Sequence, residues 1–296
     1  LAAHYAIPAD SIMVGEGIDG LLALVVRAYI NIGDRVVTSA GAYPTFNYHV
    51  AGFGGELHTV PYKGDEEDPD ALLAKAAEVG AKLIYLANPD NPMGSWHPAA
   101  VISDMIARLP DGCMLVLDEA YVDLAPEGTA PALDTSMENV IRMRTFSKAY
   151  GMAGARVGFA ISAPVVINGF NKVRNHFGMS RTGQIGALAS LQDKGWLDHI
   201  RAEVDASRQK IGQIAAAHGL TALPSATNFV TIDCGRDGDF AREVLGKLVE
   251  DGIFVRMPFV APQDRCIRVS CGPVDLMQAF AEALPIALAY AHEKLG

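Results

Sequence analysis

Lys148 stands in the run Thr145-Phe146-Ser147-Lys148-Ala149-Tyr150-Gly151, among small, hydroxyl-bearing and aromatic residues. No carboxylate lies near it in sequence, and Arg156 follows shortly downstream. A lysine on an ordinary surface sits among other charges. An amine without a carboxylate partner, held in a turn between two apolar runs, is a candidate nucleophile toward an aldehyde, with which lysine forms a Schiff base. Thr145, Ser147 and Arg156 add hydroxyls and a fixed cation, a set suited to a phosphate. An aldehyde and a phosphate on one small molecule describe pyridoxal phosphate. The plainer alternative is a loop lysine beside a structural arginine.

Other polar residues follow apolar runs. Ligands of open α/β sheets bind beyond the carboxyl ends of the strands, so those places matter most. After Leu83–Ala87 comes Asn88-Pro89-Asp90-Asn91-Pro92-Met93-Gly94. Its prolines stiffen a loop that can present the Asn91 amide, although an ordinary turn has the same composition. After Met114–Leu117 comes Asp118-Glu119-Ala120-Tyr121. A carboxylate at the end of a buried strand is costly unless paired. A protonated pyridine nitrogen would pair with Asp118, and Tyr121 can hydrogen-bond a phenolate-type oxygen. Upstream, Gly15-Glu16-Gly17-Ile18-Asp19-Gly20 is a glycine-rich turn opening a helix. Its amides can hold a phosphate or merely cap the helix. Tyr43-Pro44-Thr45-Phe46 sets aromatics in a proline turn, where one ring can stack on a cofactor or pack the loop. Arg256 and Arg268 each lie in or at the end of an apolar run without an obvious acidic neighbour. Their fork geometry suits a carboxylate or phosphate; an internal salt bridge is the alternative.

The elements that must position these residues are short apolar strands alternating with helices. Val36–Thr38, Leu57–Val60, Lys82–Ala87, Met114–Leu117, Val140–Arg144 and Arg156–Ile161 read as strands, and their continuous apolarity predicts a mostly parallel α/β sheet buried on both faces. Gly20–Ala28, Pro69–Val79 and Pro98–Ala107 read as the intervening helices, two of them opened by a proline. A long helix over roughly 197–217 leads to a different pattern. Strands Asn228–Ile232, Ile253–Arg256 and Ile267–Ser270 surround a helix Phe240–Glu250, and a last helix covers about Asp275–Lys294. This predicts a smaller α+β lobe, with residues 1–200 forming a large domain and 201–296 a small one.

The chain has 296 residues, half of them hydrophobic, enough for two cores. Its net charge of −10 and lack of basic runs argue against nucleic acid as a partner. Cys113, Cys234, Cys266 and Cys271 show no metal-ligand spacing, so no metal site is expected, and they suit a reducing cytoplasm. No apolar run reads as long enough to span a membrane. The sequence starts at Leu1 within a helical pattern, which suggests that an N-terminal segment precedes it.

In order, spacing and strand-end placement, these motifs resemble the fold type I pyridoxal-phosphate aminotransferases, and within them the histidinol-phosphate aminotransferase branch. The resemblance runs from about Val14 to about Gly272. It implies an aspartate-aminotransferase-like large domain with a mostly parallel mixed sheet and a smaller C-terminal domain. It also implies pyridoxal phosphate as cofactor, a homodimer, and a ping-pong transfer of an amino group from an amino acid or amino phosphate to a 2-keto acid such as 2-oxoglutarate. By matching position, Lys148 carries the cofactor and moves the substrate proton, and Asp118 pairs with the ring nitrogen. Tyr121 and Asn91 bond the 3′-oxygen, and Phe46 stacks on the ring. Thr145, Ser147, Arg156 and the amides of Gly17, Ile18 and Asp19 hold the phosphate. Arg268, Arg256 and Asn228 face the substrate. Met93 departs from the family's usual threonine, and Arg174–Ser180 from its usual substrate-side stretch, which leaves the substrate open. The rival expectations are a decarboxylase or lyase of a phosphorylated amino acid on the same scaffold, and a non-catalytic binding module, which would be expected to have lost part of the Lys/Asp/Tyr/Arg set.

Overall fold

Two strands with no exposed position, Leu83–Ala87 and Val140–Thr145, can only lie inside a sheet covered on both faces, and that is where they are found. The computed structural model describes all 296 residues. The strands of the first sheet are β1 (Ile12–Gly15), β2 (Arg35–Ser39), β3 (Glu56–Val60), β4 (Leu83–Ala87), β5 (Met114–Asp118), β6 (Val140–Thr145) and β7 (Gly158–Ile161). They are ordered β1-β7-β6-β5-β4-β2-β3. β3, β2, β4, β5 and β6 run parallel, while β7 is antiparallel to both β6 and β1. The sheet is therefore mostly parallel and mixed, as expected. β1 has no counterpart in the sequence reading, because a four-residue run ending in glycine carries too little pattern to register.

The helices of this part are α1 (Ala2–Tyr5), α2 (Gly17–Tyr29), α3 (Thr45–Gly52), α4 (Pro69–Val79), α5 (Ala99–Ala107), α6 (Pro164–Phe170) and α7 (Arg181–Gln192). Side chains alternate between the sheet's two faces, as the pleat requires. Tyr85, Val116 and Ile141 face a core shared with α2, α3 and α6. Ile84, Leu86, Leu115 and Leu117 face the core under α4 and α5. α4 shows why helices form where they do. The Asp68 side chain accepts the Asp70 and Ala71 N–H groups, Pro69 opens the first turn, and Gly80 closes the helix at φ 63°.

α8 (Lys194–Ala217) leaves this part and leads to β8 (Thr221–Ala222), β9 (Phe229–Asp233), α9 (Gly238–Glu250), β10 (Cys266–Ser270) and α10 (Val274–Leu295). These strands form an antiparallel sheet in the order β10-β9-β8. Residue 200 falls inside α8. Leu197, Ile200 and Val204 pack with Phe146 and Phe159, whereas Ile211 and Ile214 belong to the second core. The strand expected over Ile253–Arg256 does not form; the segment makes a single bridge, Arg256 to Arg268. Phe254 and Arg256 are exposed while Ile253 and Val255 pack on the second core, so the run has a covered face but too few ladder bonds to form a strand. α10, at 22 residues, is long and apolar enough to cross a membrane by length and composition. Its Met277, Phe280, Ala283, Leu284, Ala287 and Ala291 are instead buried in the second core.

Candidate active site

Register brings the polar residues together. In the parallel pairs, Ala87 lies beside Asp118, and Asp118 beside Met143. The loops leaving β4, β5 and β6 therefore emerge side by side and deliver Asn91, Tyr121 and Lys148 to one place. Across the antiparallel pair, Thr145 opposes Gly158. A Cβ on Gly158 would stand 2.9 Å from the Gly17 backbone, so only glycine lets the first turn of α2 approach this strand end. The cavity so formed is lined by Ile18, Asp19, Tyr43, Tyr85, Asn91, Asp118, Tyr121, Thr145, Ser147, Lys148 and Arg156, among others.

Asp118 is 5% exposed. Its Oδ2 accepts the Tyr85 hydroxyl at 2.8 Å and its Oδ1 the Ala120 N–H at 2.9 Å. No cation pairs with it, and burial pushes its carboxyl up to about 6 against those two hydrogen bonds. Lys148 Nζ lies 5.0 Å from the centre of the Tyr121 ring and has no ion-pair partner. Thr145 Oγ1 is 2.9 Å from Ser147 Oγ and 3.1 Å from the Val157 carbonyl oxygen. Arg156, at φ 53°, donates from Nη1 to the Ala153 carbonyl and holds Nη2 3.8 Å from Asp19 Oδ2. A Cβ on Gly17 would meet Arg156 Nη2 at 2.5 Å, so guanidinium and glycine turn form one cradle that any other residue would fill.

The second sheet stands behind the cavity: neither Arg256 nor Arg268 is part of its lining, and the sheet meets it through Tyr121 and Asn91. The Phe229 ring stands edge-on to Tyr121 at 5.6 Å, and the Arg268 guanidinium lies over Phe229 at 4.7 Å. Arg268 Nη1 donates to Asn91 Oδ1, which leaves the Asn91 amide nitrogen free. Arg256 and Arg268 oppose each other in their bridge and exchange backbone hydrogen bonds of 3.1 and 2.6 Å. Neither has a carboxylate partner. Burial first, and also the like charge of Arg256, hold Arg268 below the usual arginine value.

Two expectations are corrected. Phe46 does not line the cavity. It is fully buried beneath Tyr85, ring centres 4.8 Å apart, because Thr45–Gly52 is a helix that turns it into the core; Tyr43 from the same turn lines the cavity instead. Asn228 precedes β9 and gives its backbone carbonyl to the Cys271 N–H, and its side chain is not part of the cavity lining. Arg174–Met179 lines a different and larger groove, of about 1150 Å³, beside β1 and α6. That groove contains neither Lys148 nor Asp118, so the smaller cavity is the chemical one. Tyr85 was missed. Its only trace in the sequence is a hydroxyl-tipped residue inside an otherwise aliphatic strand.

The unmet chemistry of these residues fits one ligand. A buried carboxylate without a cation faces the cavity, as does an amine without an anion. The cradle of Arg156, hydroxyls and a helix N-terminus suits a phosphate. Fold and cavity together define a pyridoxal-phosphate enzyme of fold type I. Comparison with known proteins gives the same result. The family model for aminotransferase class I and II matches residues 1–284. Histidinol-phosphate aminotransferase from Moorella thermoacetica is 30% identical over 293 residues, covering 98% of this chain and 75% of the relative. The Bacillus velezensis enzyme of that name is 33% identical over 276 residues, covering 92% and 76%. Among solved structures, histidinol-phosphate aminotransferase from Sinorhizobium meliloti in complex with pyridoxal-5′-phosphate superposes with a TM-score of 0.96 at 52% identity. That match covers 97% of this chain and 79% of the other. The chain belongs to the class I and II aminotransferases, in their histidinol-phosphate aminotransferase branch. It is a pyridoxal-phosphate-dependent transaminase.

Proposed function

We propose that this transaminase takes its amino group from histidinol phosphate and passes it to 2-oxoglutarate. The observation that carries this reading is the Arg256–Arg268 bridge, two opposed arginines without carboxylate partners, of which Arg268 reaches Asn91 at the Lys148 cavity. Like charges placed together call for an anion, and a phosphate or carboxylate meets both. The names of the relatives support the same donor.

Pyridoxal phosphate, when bound, supplies an aldehyde that takes up amino groups and a protonated ring that draws electrons from the substrate α-carbon. Lys148 Nζ would hold the group by its aldehyde and is the amine that would take the proton from the substrate Cα. Asp118 keeps a proton on the ring nitrogen, and its burial makes the unpaired anion costly enough to demand that partner. The free amide nitrogen of Asn91 and the Tyr121 hydroxyl hold the 3′-oxygen. Thr145, Ser147, Arg156 and the N–H groups of Gly17, Ile18 and Asp19 anchor the phosphate. Tyr43, rather than Phe46, takes the place against the ring. Arg268 and Arg256 orient the substrate anion.

The same reading makes the enzyme a cytoplasmic homodimer with a large domain over 1–200 and a small one over 201–296. Four free cysteines suit a reducing compartment, and exposed Val165, Phe177 and Leu188 beside the large groove suit burial by a second copy. The test is the visible absorbance of the holoenzyme. Histidinol phosphate should bleach it and 2-oxoglutarate should restore it. Bleaching only by a different amino acid would move the donor to that compound. No visible band after adding pyridoxal phosphate would remove Lys148 from its role.

A further inference from the structure

Two buried carboxyls take no part in the chemistry above. Glu67 and Asp90 are each 2% exposed, and neither forms an ion pair. Two ionised carboxylates without a cation are not sustained in an interior; a proton stays on one of them. Glu67 Oε2 accepts the Ser39 hydroxyl at 2.6 Å, and its Oε1 the Ala87 N–H at 3.0 Å. The Asp90 carboxyl accepts the Tyr62 hydroxyl and the Met93 N–H, both at 3.0 Å. Burial raises both groups, Asp90 to about 7, and for Glu67 the next cause is the charge of Asp90. The other charged or titratable groups facing the pair are Tyr62, Tyr85, Asp118 and Arg268, while the His97 ring meets only the Glu67 backbone carbonyl.

Asp90 also builds the loop between β4 and the second sheet. Its N–H donates to the Ser95 carbonyl at 2.8 Å, and its carbonyl accepts the Gly94 N–H at 3.2 Å. The loop is fastened across to the second sheet by the Thr231 hydroxyl on the Pro92 carbonyl, 2.8 Å, and the Ala226 N–H on the Gly94 carbonyl, 2.9 Å. Asn91, the next residue, turns its Oδ1 to Arg268. Asp90 thus fixes the backbone from which Asn91 reaches Arg268, and its charge is felt at that arginine.

We propose that Asp90 is a positioning residue, and that with a proton kept on one of these two buried carboxyls it holds Asn91 and Arg268 ready for the substrate anion. Loss of the proton places a second negative charge behind Arg268, where it competes with the incoming anion. Substrate affinity then falls as pH rises. The inference rests on the reading of Arg268 as an anion-binding residue.

The test is binding of maleate, a dicarboxylate that cannot be transaminated, to the pyridoxal-phosphate-loaded enzyme by calorimetry. In the wild type, affinity should fall about tenfold between about pH 6 and about pH 8.5. Asp90→Asn keeps the geometry, since its Oδ1 can take the Met93 N–H and its amide can donate to the Tyr62 oxygen, with no charge to gain. It should hold the wild-type low-pH affinity across the whole range. Asp90→Ala, which strands both partners, should bind about tenfold more weakly at every pH. An Asp90→Asn profile that falls like the wild type, or wild-type affinity in Asp90→Ala, overturns the proposal. Arg268→Gln separates it from the reading beneath: unchanged maleate binding there overturns the arginine's role. Lost binding there, with an unaltered fall in Asp90→Asn, overturns the Asp90 proposal alone.

Discussion

Asp118 and Glu119 are neighbours in sequence, both almost fully buried, and opposite in electrostatic state. Glu119 turns away from the cavity and meets two guanidiniums, Arg142 Nη2 at 2.6 Å and Arg144 Nε at 2.9 Å. Burial acts to raise its carboxyl, but Arg144 and Arg142 outweigh it and hold the group below the usual carboxylate range. Asp118 turns into the cavity, meets no cation, and is pushed up to about 6 by burial. In one region charge is neutralised by the fold itself; in the other it is left for a ligand to neutralise. The difference marks function more sharply than burial does.

Four experiments bear on that contrast. Removing the cavity's amine has the largest effect: Lys148→Ala should lower turnover by more than about ten-thousand-fold while the protein stays folded, and near-normal turnover would falsify its role. Glu119→Ala strands two buried arginines and should cost about 3–5 kcal/mol of stability in a denaturant titration. A loss under about 1 kcal/mol would show that the paired region is not held as described. Asp118→Asn should do the opposite to the cofactor-free protein. A raised folded pKa means that wild-type stability declines as pH climbs from the ordinary 3.8 toward about 6. At neutral pH the Asn variant should therefore be more stable by about 2 kcal/mol, though catalytically crippled. For Glu119 the sign reverses, and its contribution is lost only as pH falls below the ordinary 4.5. The smallest effect is Tyr85→Phe, which removes a hydrogen bond to the Asp118 anion and should raise that carboxyl's pKa by about one unit in carboxyl-carbon NMR. An unmoved signal would remove Tyr85 from the site.

The parallel sheet was legible because β4 and β5 are apolar runs and β4, β5 and β6 are each followed by polar residues that side-chain chemistry can interpret. Asn91, Asp118, Tyr121, Thr145, Ser147, Lys148 and Arg156 all converge as their strand-end positions imply. What stayed hidden depends on three-dimensional direction. Phe46 and Tyr43 belong to one aromatic turn, and only the helix Thr45–Gly52 decides which ring faces inward. Tyr85 and Glu67 act across the sheet on residues far away in sequence. Ile253–Arg256 has a strand's composition and a face on the second core, but a single bridge is all that ties it to β10.

α10 sets an order of events in synthesis. It contributes Met277, Phe280, Ala283, Leu284, Ala287 and Ala291 to the second core, whose other members lie earlier in the chain. Until α10 has been made, α9, β9 and β10 lack the partner that covers their apolar faces, and Arg268 has no settled sheet from which to reach Asn91. The second core therefore closes late, only once α10 is available to dock on segments made before it.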